Sequence, residues 1–130
     1  MLSRIKRFFT KNEDAAPHLP NEAKATFVLK VDGIQVGTLH CENGEWEFKY
    51  TDDFKKNQEY NKIIEFSDLN KIYRNETLWP FFQTRIPGLK QPAVQEILKK
   101  EKIDEENEFE LLKRFGNKTI SNPYELELMY

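Results

Sequence analysis

Two histidines, a single cysteine and a dense run of carboxylates are the side chains of this 130-residue sequence best suited to chemistry. His40 and Cys41 are adjacent, so in a strand they point to opposite faces and cannot jointly hold a metal ion. His18 lies far from them, and no Cys/His cluster with zinc spacing exists, so both histidines read as surface residues. Asp104, Glu105, Glu106, Glu108 and Glu110 form the densest acidic run. Paired carboxylates do acid–base work when one of them is buried. Here they open a helical pattern, where negative charge suits the unpaired N–H groups of the first turn, and they read as a solvated helix start. The five glycines are scattered at turns and build no phosphate-cradling loop. No serine sits in a nucleophile elbow. The expectation is a protein that is not an enzyme and needs no cofactor.

Aromatic residues on a sheet can stack nucleic-acid bases, and Trp46, Phe48 and Tyr50 alternate with Glu45, Glu47 and Lys49 in the clearest period-two pattern of the chain. Their strand neighbours are not basic, and phosphate binding needs basic side chains, so the stripe reads as core. It belongs to three antiparallel strands within residues 24–51. Phe27, Leu29 and Val31 mark the first, Ile34, Val36 and Thr38 the second. Asp32-Gly33 and Asn43-Gly44 are two-residue turns that accept positive φ, which makes the set a meander. Gly37 inside the second strand marks a bulge or a close backbone approach. Residues 52–61 are polar and read as an exposed loop, and residues 62–66 as a short fourth strand.

The period then changes. Leu78, Trp79, Phe81, Phe82 and Ile86 fit a short helix ending before Pro87-Gly88, with Pro80 tolerated in its first turn. A second helix starts at Pro92 and carries Val94, Ile97 and Leu98. A third starts near Asp104 as cap, carries Phe109, Leu111, Leu112 and Phe115, and ends on Lys113, Arg114 and Gly116. Tyr124, Leu126, Leu128 and Tyr130 alternate with Glu125 and Glu127, a closing strand that returns to the meander or pairs with a partner chain. The fold class is therefore α+β: a small antiparallel sheet, with three meander strands plus one or two more, packed with about three short helices.

With 38% apolar and 32% charged residues, the chain has the composition of one soluble domain. A net charge of −2 speaks against nucleic-acid binding. One cysteine rules out an internal disulfide, and no apolar run approaches the roughly 18 residues of a membrane span. Residues 1–22 read as a flexible basic tail that contains Pro17 and Pro20, followed by a domain over residues 23–130. Within the tail, Leu2, Ile5, Phe8 and Phe9 share one helical face among Arg4, Lys6, Arg7 and Lys11, either a frayed or partly docked terminus or a helix that touches a membrane or a partner groove. Its apolar patch is too short for a signal peptide, so the expected compartment is the cytoplasm.

The order of these features resembles the N-terminal subdomain of HipA-type serine/threonine kinases. Val31-Asp32-Gly33-Ile34-Gln35-Val36-Gly37-Thr38-Leu39 is similar to that family's strand, tight turn and apolar-x-Val-Gly-x-Leu strand. Phe48-Lys49-Tyr50 is similar to its Phe-x-Tyr strand. Leu78-Trp79-Pro80-Phe81-Phe82-Gln83-Thr84-Arg85-Ile86-Pro87-Gly88 resembles its Phe-Phe-x-Asn-Leu-Leu-Pro-Glu-Gly segment, with Thr84-Arg85 in place of Asn-Leu. Phe109-Glu110-Leu111-Leu112-Lys113-Arg114-Phe115-Gly116 resembles its Asp-Leu-Leu-x-x-Ile-Gly helix end.

The part of a HipA kinase that carries the ATP site and catalytic Asp has no counterpart in these 130 residues. The resemblance therefore implies the small subunit of a split toxin–antitoxin system, a protein-binding module that docks on a HipA-like kinase and restrains it. A helix-turn-helix repressor would complete such a set. The other implied readings are a subunit that completes a split kinase and an orphan interaction scaffold. An interface of this kind needs aromatic or Arg anchors, and Trp79, Phe82, Arg85, Ile86, Pro87 and Gly88 are the candidates. The arc from Leu78 to Ile86 is too wide for one core face, so Trp79 is expected to reach the partner; its alternative is a core tryptophan with a satisfied indole N–H.

Overall fold

A computed structural model describes residues 16–57 and 59–130. The amphipathic face expected at residues 2–9 lies outside the described residues. Three strands follow the turn chemistry: β1 (Ala25–Val31), β2 (Ile34–Glu42) and β3 (Glu45–Tyr50). Both residues of each connecting turn have positive φ, 49° and 81° at Asp32-Gly33 and 54° and 76° at Asn43-Gly44. That geometry matches the twist of the paired strands, so the meander closes tightly. Leu29 faces Gly37, Phe27 faces Leu39 and Ala25 faces Cys41, and these continue to Tyr50, Phe48 and Trp46 on β3. One face of the sheet is thereby apolar, and Trp46, Phe48, Leu39 and Cys41 are fully buried.

Gly37 serves both roles expected of it. The register slips between Leu29 and Lys30, leaving Val36 as the extra residue of a bulge. A Cβ on Gly37 would lie 2.6 Å from Phe48 Cζ and 2.7 Å from the Lys49 carbonyl oxygen. The oxygen cannot swing away as a side-chain tip can. Gly37→Ala is therefore expected to destabilise the fold by about 1–3 kcal/mol through overpacking, read as a lower urea midpoint with an unchanged m value.

The middle of the chain departs from the sequence reading. Residues 52–61 do not form a continuous loop: α1 (Asp52–Lys56) begins there, capped by Thr51, whose Oγ1 accepts from Phe54 N at 3.1 Å. Phe54 is buried and stacks on Tyr50 at 5.1 Å. Residues 62–66 are not a strand. Ile63 and Phe66 go inward, three positions apart, while Ile64 is 92% exposed, a spacing that a strand cannot produce. The Tyr50 hydroxyl pins this segment, accepting from Ile63 N at 3.0 Å and donating to the Phe66 carbonyl at 2.6 Å. The fourth strand is β4 (Tyr73–Asn75), paired with β3.

The helices are α2 (Pro80–Gln83), α3 (Pro92–Glu101) and α4 (Glu108–Phe115). Pro92 takes the first position of α3 as expected. The cap of α4 is Asn107 and not Asp104: Asn107 Oδ1 accepts from Glu110 N at 3.0 Å. Asp104 instead closes a local turn by accepting from Glu106 N at 2.9 Å. The last strand, β5 (Glu125–Leu128), returns to the meander beside β1, and the antiparallel order is β4-β3-β2-β1-β5. Among the described residues the fold is thus α+β, a five-stranded antiparallel sheet with four helices. The main core lies on the apolar face, with Phe48 stacked on Phe66 at 4.2 Å. A smaller cluster of Val94, Leu98 and Leu111 joins α3 to α4. No helix among the described residues is long and apolar enough to cross a membrane.

The start of the described chain is tied down. His18 N donates to the Glu106 carbonyl at 2.8 Å, the His18 carbonyl accepts from Glu108 N at 2.9 Å, and Leu19 enters the core. Residues assigned to the tail by their prolines thus dock beside α4.

Candidate docking surface around helix α2

Helix α2 is a single turn because its sequence alternates between commitments. Trp79 is extended at the N-cap, with ψ 150°, and Pro80 supplies the fixed φ of the first helical position. No side chain of the cap residue closes the first turn. Glu65 does so from the neighbouring loop, its Oε2 accepting from Phe81 N at 2.8 Å. A carboxylate there also faces the positive end of the turn.

The side chains of this segment diverge. Leu78 and Phe82 are buried in the main core, Phe82 with its ring 5.8 Å from Phe48. Trp79 is half-buried, its ring edge-on to Phe66 at 5.1 Å. Ile86 bridges the two apolar clusters, Pro87 is half-buried and Gly88 is exposed. Phe81 goes the other way and meets Tyr124 edge-on at 5.5 Å.

Arg85 is 4% exposed and serves the interior of its own chain. Its Nη1 donates to the carbonyls of Gly116 (2.9 Å) and Asn117 (3.3 Å), and its Nη2 to Asn122 Oδ1 (3.2 Å) and the Tyr124 carbonyl (2.8 Å). Nε is buried with no partner. No carboxylate appears among these contacts. Burial pulls the guanidinium down to about 10, which still leaves it charged at neutral pH. Of the six candidate anchors, Phe82 and Arg85 are therefore held inside, while Trp79, Ile86, Pro87 and Gly88 reach the surface in whole or part. An Arg next to a Pro-Gly turn looks like an exposed anchor, yet only a guanidinium can bridge four acceptors across the 116–124 loop.

Residues 61–65, Phe81, Pro123 and Tyr124 enclose a groove of about 380 Å³. Its apolar wall consists of Ile63, Ile64, Phe81, Pro123 and Tyr124, and Lys62 stands at its rim. The sequence reading did not find this groove. Its two aromatic walls, Phe81 and Tyr124, come from distant segments that no local spacing brings together.

The potential chemical groups are placed as follows. Cys41 is fully buried, and desolvation pushes its thiol up to about 11, so it is not a nucleophile at neutral pH. His40 lies on the opposite, polar face of β2, between Thr26 Oγ1 at 2.8 Å and Glu42 Oε1 at 2.9 Å. Among the described residues no group of three or more His, Cys, Asp or Glu side chains could hold a metal ion. Trp46, Phe48 and Tyr50 are buried, so they do not offer rings to bases.

Glu108 departs from its expected place. It is 3% exposed, and its Oε1 accepts from the Trp46 indole at 2.6 Å. The Leu78 backbone N–H also donates to the carboxylate, and desolvation holds the group above its ordinary value. The signal was present: Glu108 shares the i, i+3, i+4, i+7 face with Leu111, Leu112 and Phe115. A buried tryptophan also requires an acceptor for its N–H.

Comparison with curated proteins finds no match. A family model described as the HipA N-terminal domain matches residues 28–121, a stretch that runs from β1 through α4 and takes in all of α2 and its turn. The chain belongs to the HipA N-terminal domain family.

Proposed function

We propose that this chain is a non-catalytic, cytoplasmic protein-binding module that docks on a HipA-like serine/threonine kinase and restrains it, in the manner of an antitoxin. The observation that carries the reading is the family match over residues 28–121, which concerns the N-terminal domain of such kinases and not their kinase part. The half-buried Trp79, on the rim of the core beside Pro87 and Gly88, supports the surface around α2 as the contact. A partly exposed tryptophan held by an aromatic neighbour loses little side-chain freedom on binding, which favours it as an interface anchor. Restraint requires that the module bind the inactive kinase more tightly than the active one. Holding the kinase at 99:1 inactive from 1:99 would take a preference of roughly 5.5 kcal/mol. A helix-turn-helix repressor is the proposed third member of the complex.

The test is co-expression with a HipA-type kinase from the same source as this chain. The expected outcome is suppressed toxicity and a complex that co-purifies, with Trp79→Ala weakening capture by about tenfold or more, as loss of an aromatic anchor does. Undiminished toxicity together with no recovered complex would sink the proposal.

A further inference from the structure

Three observations distinguish the groove beside Phe81 and Tyr124. First, its wall is continuous with exposed apolar surface: Ile64 is 92% exposed and Phe81 and Tyr124 are half-buried. Single exposed apolar residues are ordinary, but a grouped set next to a concave surface marks an interaction site. Second, five of the eight lining residues are Ile63, Ile64, Phe81, Pro123 and Tyr124, and of the three polar ones Glu65 is already engaged by the Phe81 N–H. A side chain from a protein suits such a wall better.

Third, the local charge is unbalanced. Lys62 at the rim makes no ion pair among the described residues. Behind the wall, the Arg85 guanidinium lies 5.7 Å from the centroid of the Phe81 ring, and its contacts are with carbonyl and amide oxygens that leave its charge uncancelled. The one carboxylate of the lining, Glu65, is turned to the Phe81 N–H. Lys62 and Glu65 balance each other within the lining, and the Arg85 cation behind the Phe81 ring tips the local charge to positive.

From this combination we infer that the groove receives an apolar side chain of the kinase partner, flanked in sequence by an acidic residue that meets Lys62. The inference rests on the docking reading above and adds a second contact to it. The apolar residue fills the space between Ile64 and Tyr124, and the acidic one sets the register. Electrostatic complementarity of this kind contributes more to partner choice and association rate than to raw affinity.

The experiment measures binding of the HipA-type kinase of the docking test to the wild-type chain, Lys62→Glu and Ile64→Glu at low and high salt. The melting temperature of each variant and the mass of the free wild-type chain in solution are measured alongside. Both positions are exposed, so the melting temperatures should not move. Each variant is expected to weaken binding by about tenfold or more, the effect of Lys62→Glu should shrink at high salt, and reversing one acidic residue of the kinase should restore binding to Lys62→Glu. If wild type binds and both variants bind within about twofold of it, the groove is not a contact, while the docking reading stands. If wild type does not bind, the docking reading fails and this inference with it. A wild-type dimer that Ile64→Glu dissolves would make a second copy of this chain the occupant and overturn the assignment to the kinase.

Discussion

Replacing Arg85 with alanine is expected to destabilise the domain by about 3 kcal/mol or more, because four acceptors lose a charged donor and charged hydrogen bonds contribute roughly 1.5–3 kcal/mol each. The acceptors are the carbonyls of Gly116, Asn117 and Tyr124 and the side chain of Asn122. Together they hold the segment between α4 and β5, and β5 forms one edge of the sheet. The same segment shields that edge, since Asn117 Nδ2 donates to the Leu126 carbonyl at 2.9 Å and the Asn117 carbonyl accepts from Leu126 N at 2.9 Å. Loss of Arg85 should therefore loosen β5 as well as the loop. Arg85→Lys keeps the charge but presents a point donor in place of a planar fork, so it should recover only part of the loss. The measurement is urea denaturation of the three proteins. An alanine variant within about 1 kcal/mol of wild type would contradict the structural role. In kinase binding, Arg85→Ala should act through the fraction folded and through loss of the charge that lies behind the Phe81 ring, whereas Arg85→Lys keeps that charge.

The second large effect concerns Glu108 and Trp46. Glu108→Ala leaves the buried Trp46 indole N–H without its acceptor, which should cost about 1–3 kcal/mol. Glu108→Gln keeps an oxygen in place and removes the charge, and its consequence depends on pH. Desolvation raises the carboxyl above its ordinary value of 4.5. The folded state then holds the proton more tightly than the unfolded state does. Stability is greatest below the ordinary value and falls as pH rises from there through the raised value, because the unfolded chain releases the proton first. Once pH exceeds the raised value the wild type carries a buried charge, only partly offset by Trp46 and Leu78. Glu108→Gln is accordingly expected to gain stability relative to wild type as pH rises through that value. It should also lack the wild type's loss of stability as pH rises above 4.5. A glutamine variant that loses stability relative to wild type as pH rises above 4.5 would show that the charge itself stabilises the fold.

Much of the fold was legible because it is written in local patterns. Asp32-Gly33 and Asn43-Gly44 demand hairpins, the Trp46, Phe48 and Tyr50 alternation demands a one-sided sheet, and Pro92 marks the first position of a helix. Elements with too few residues to show a period were not. Helix α1 has one apolar residue, Phe54, and β4 has three residues in all. Ile63 and Phe66 look like strand residues until the Tyr50 hydroxyl is seen to hold the backbone between them. The candidate site was half legible for a related reason. The surface at Trp79, Pro87 and Gly88 follows from an arc of apolar residues too wide for one core. The inward positions of Phe82 and Arg85 depend on β3 and on the 116–124 loop, distant segments that no local spacing reveals. Glu108 was misread as a solvated helix-start acid, although its position on the Leu111–Leu112 face was present in the sequence.

The central claim is that this chain binds a HipA-like kinase and lowers its activity. The most direct measurement titrates the purified chain into a purified HipA-type kinase from the same source and follows the initial rate of phosphoryl transfer from ATP. The account predicts a rate that falls to a floor as a one-to-one complex saturates, with Trp79→Ala shifting the midpoint to higher concentration. A rate that rises on addition of the chain would contradict it, and would make the chain a subunit that completes the kinase.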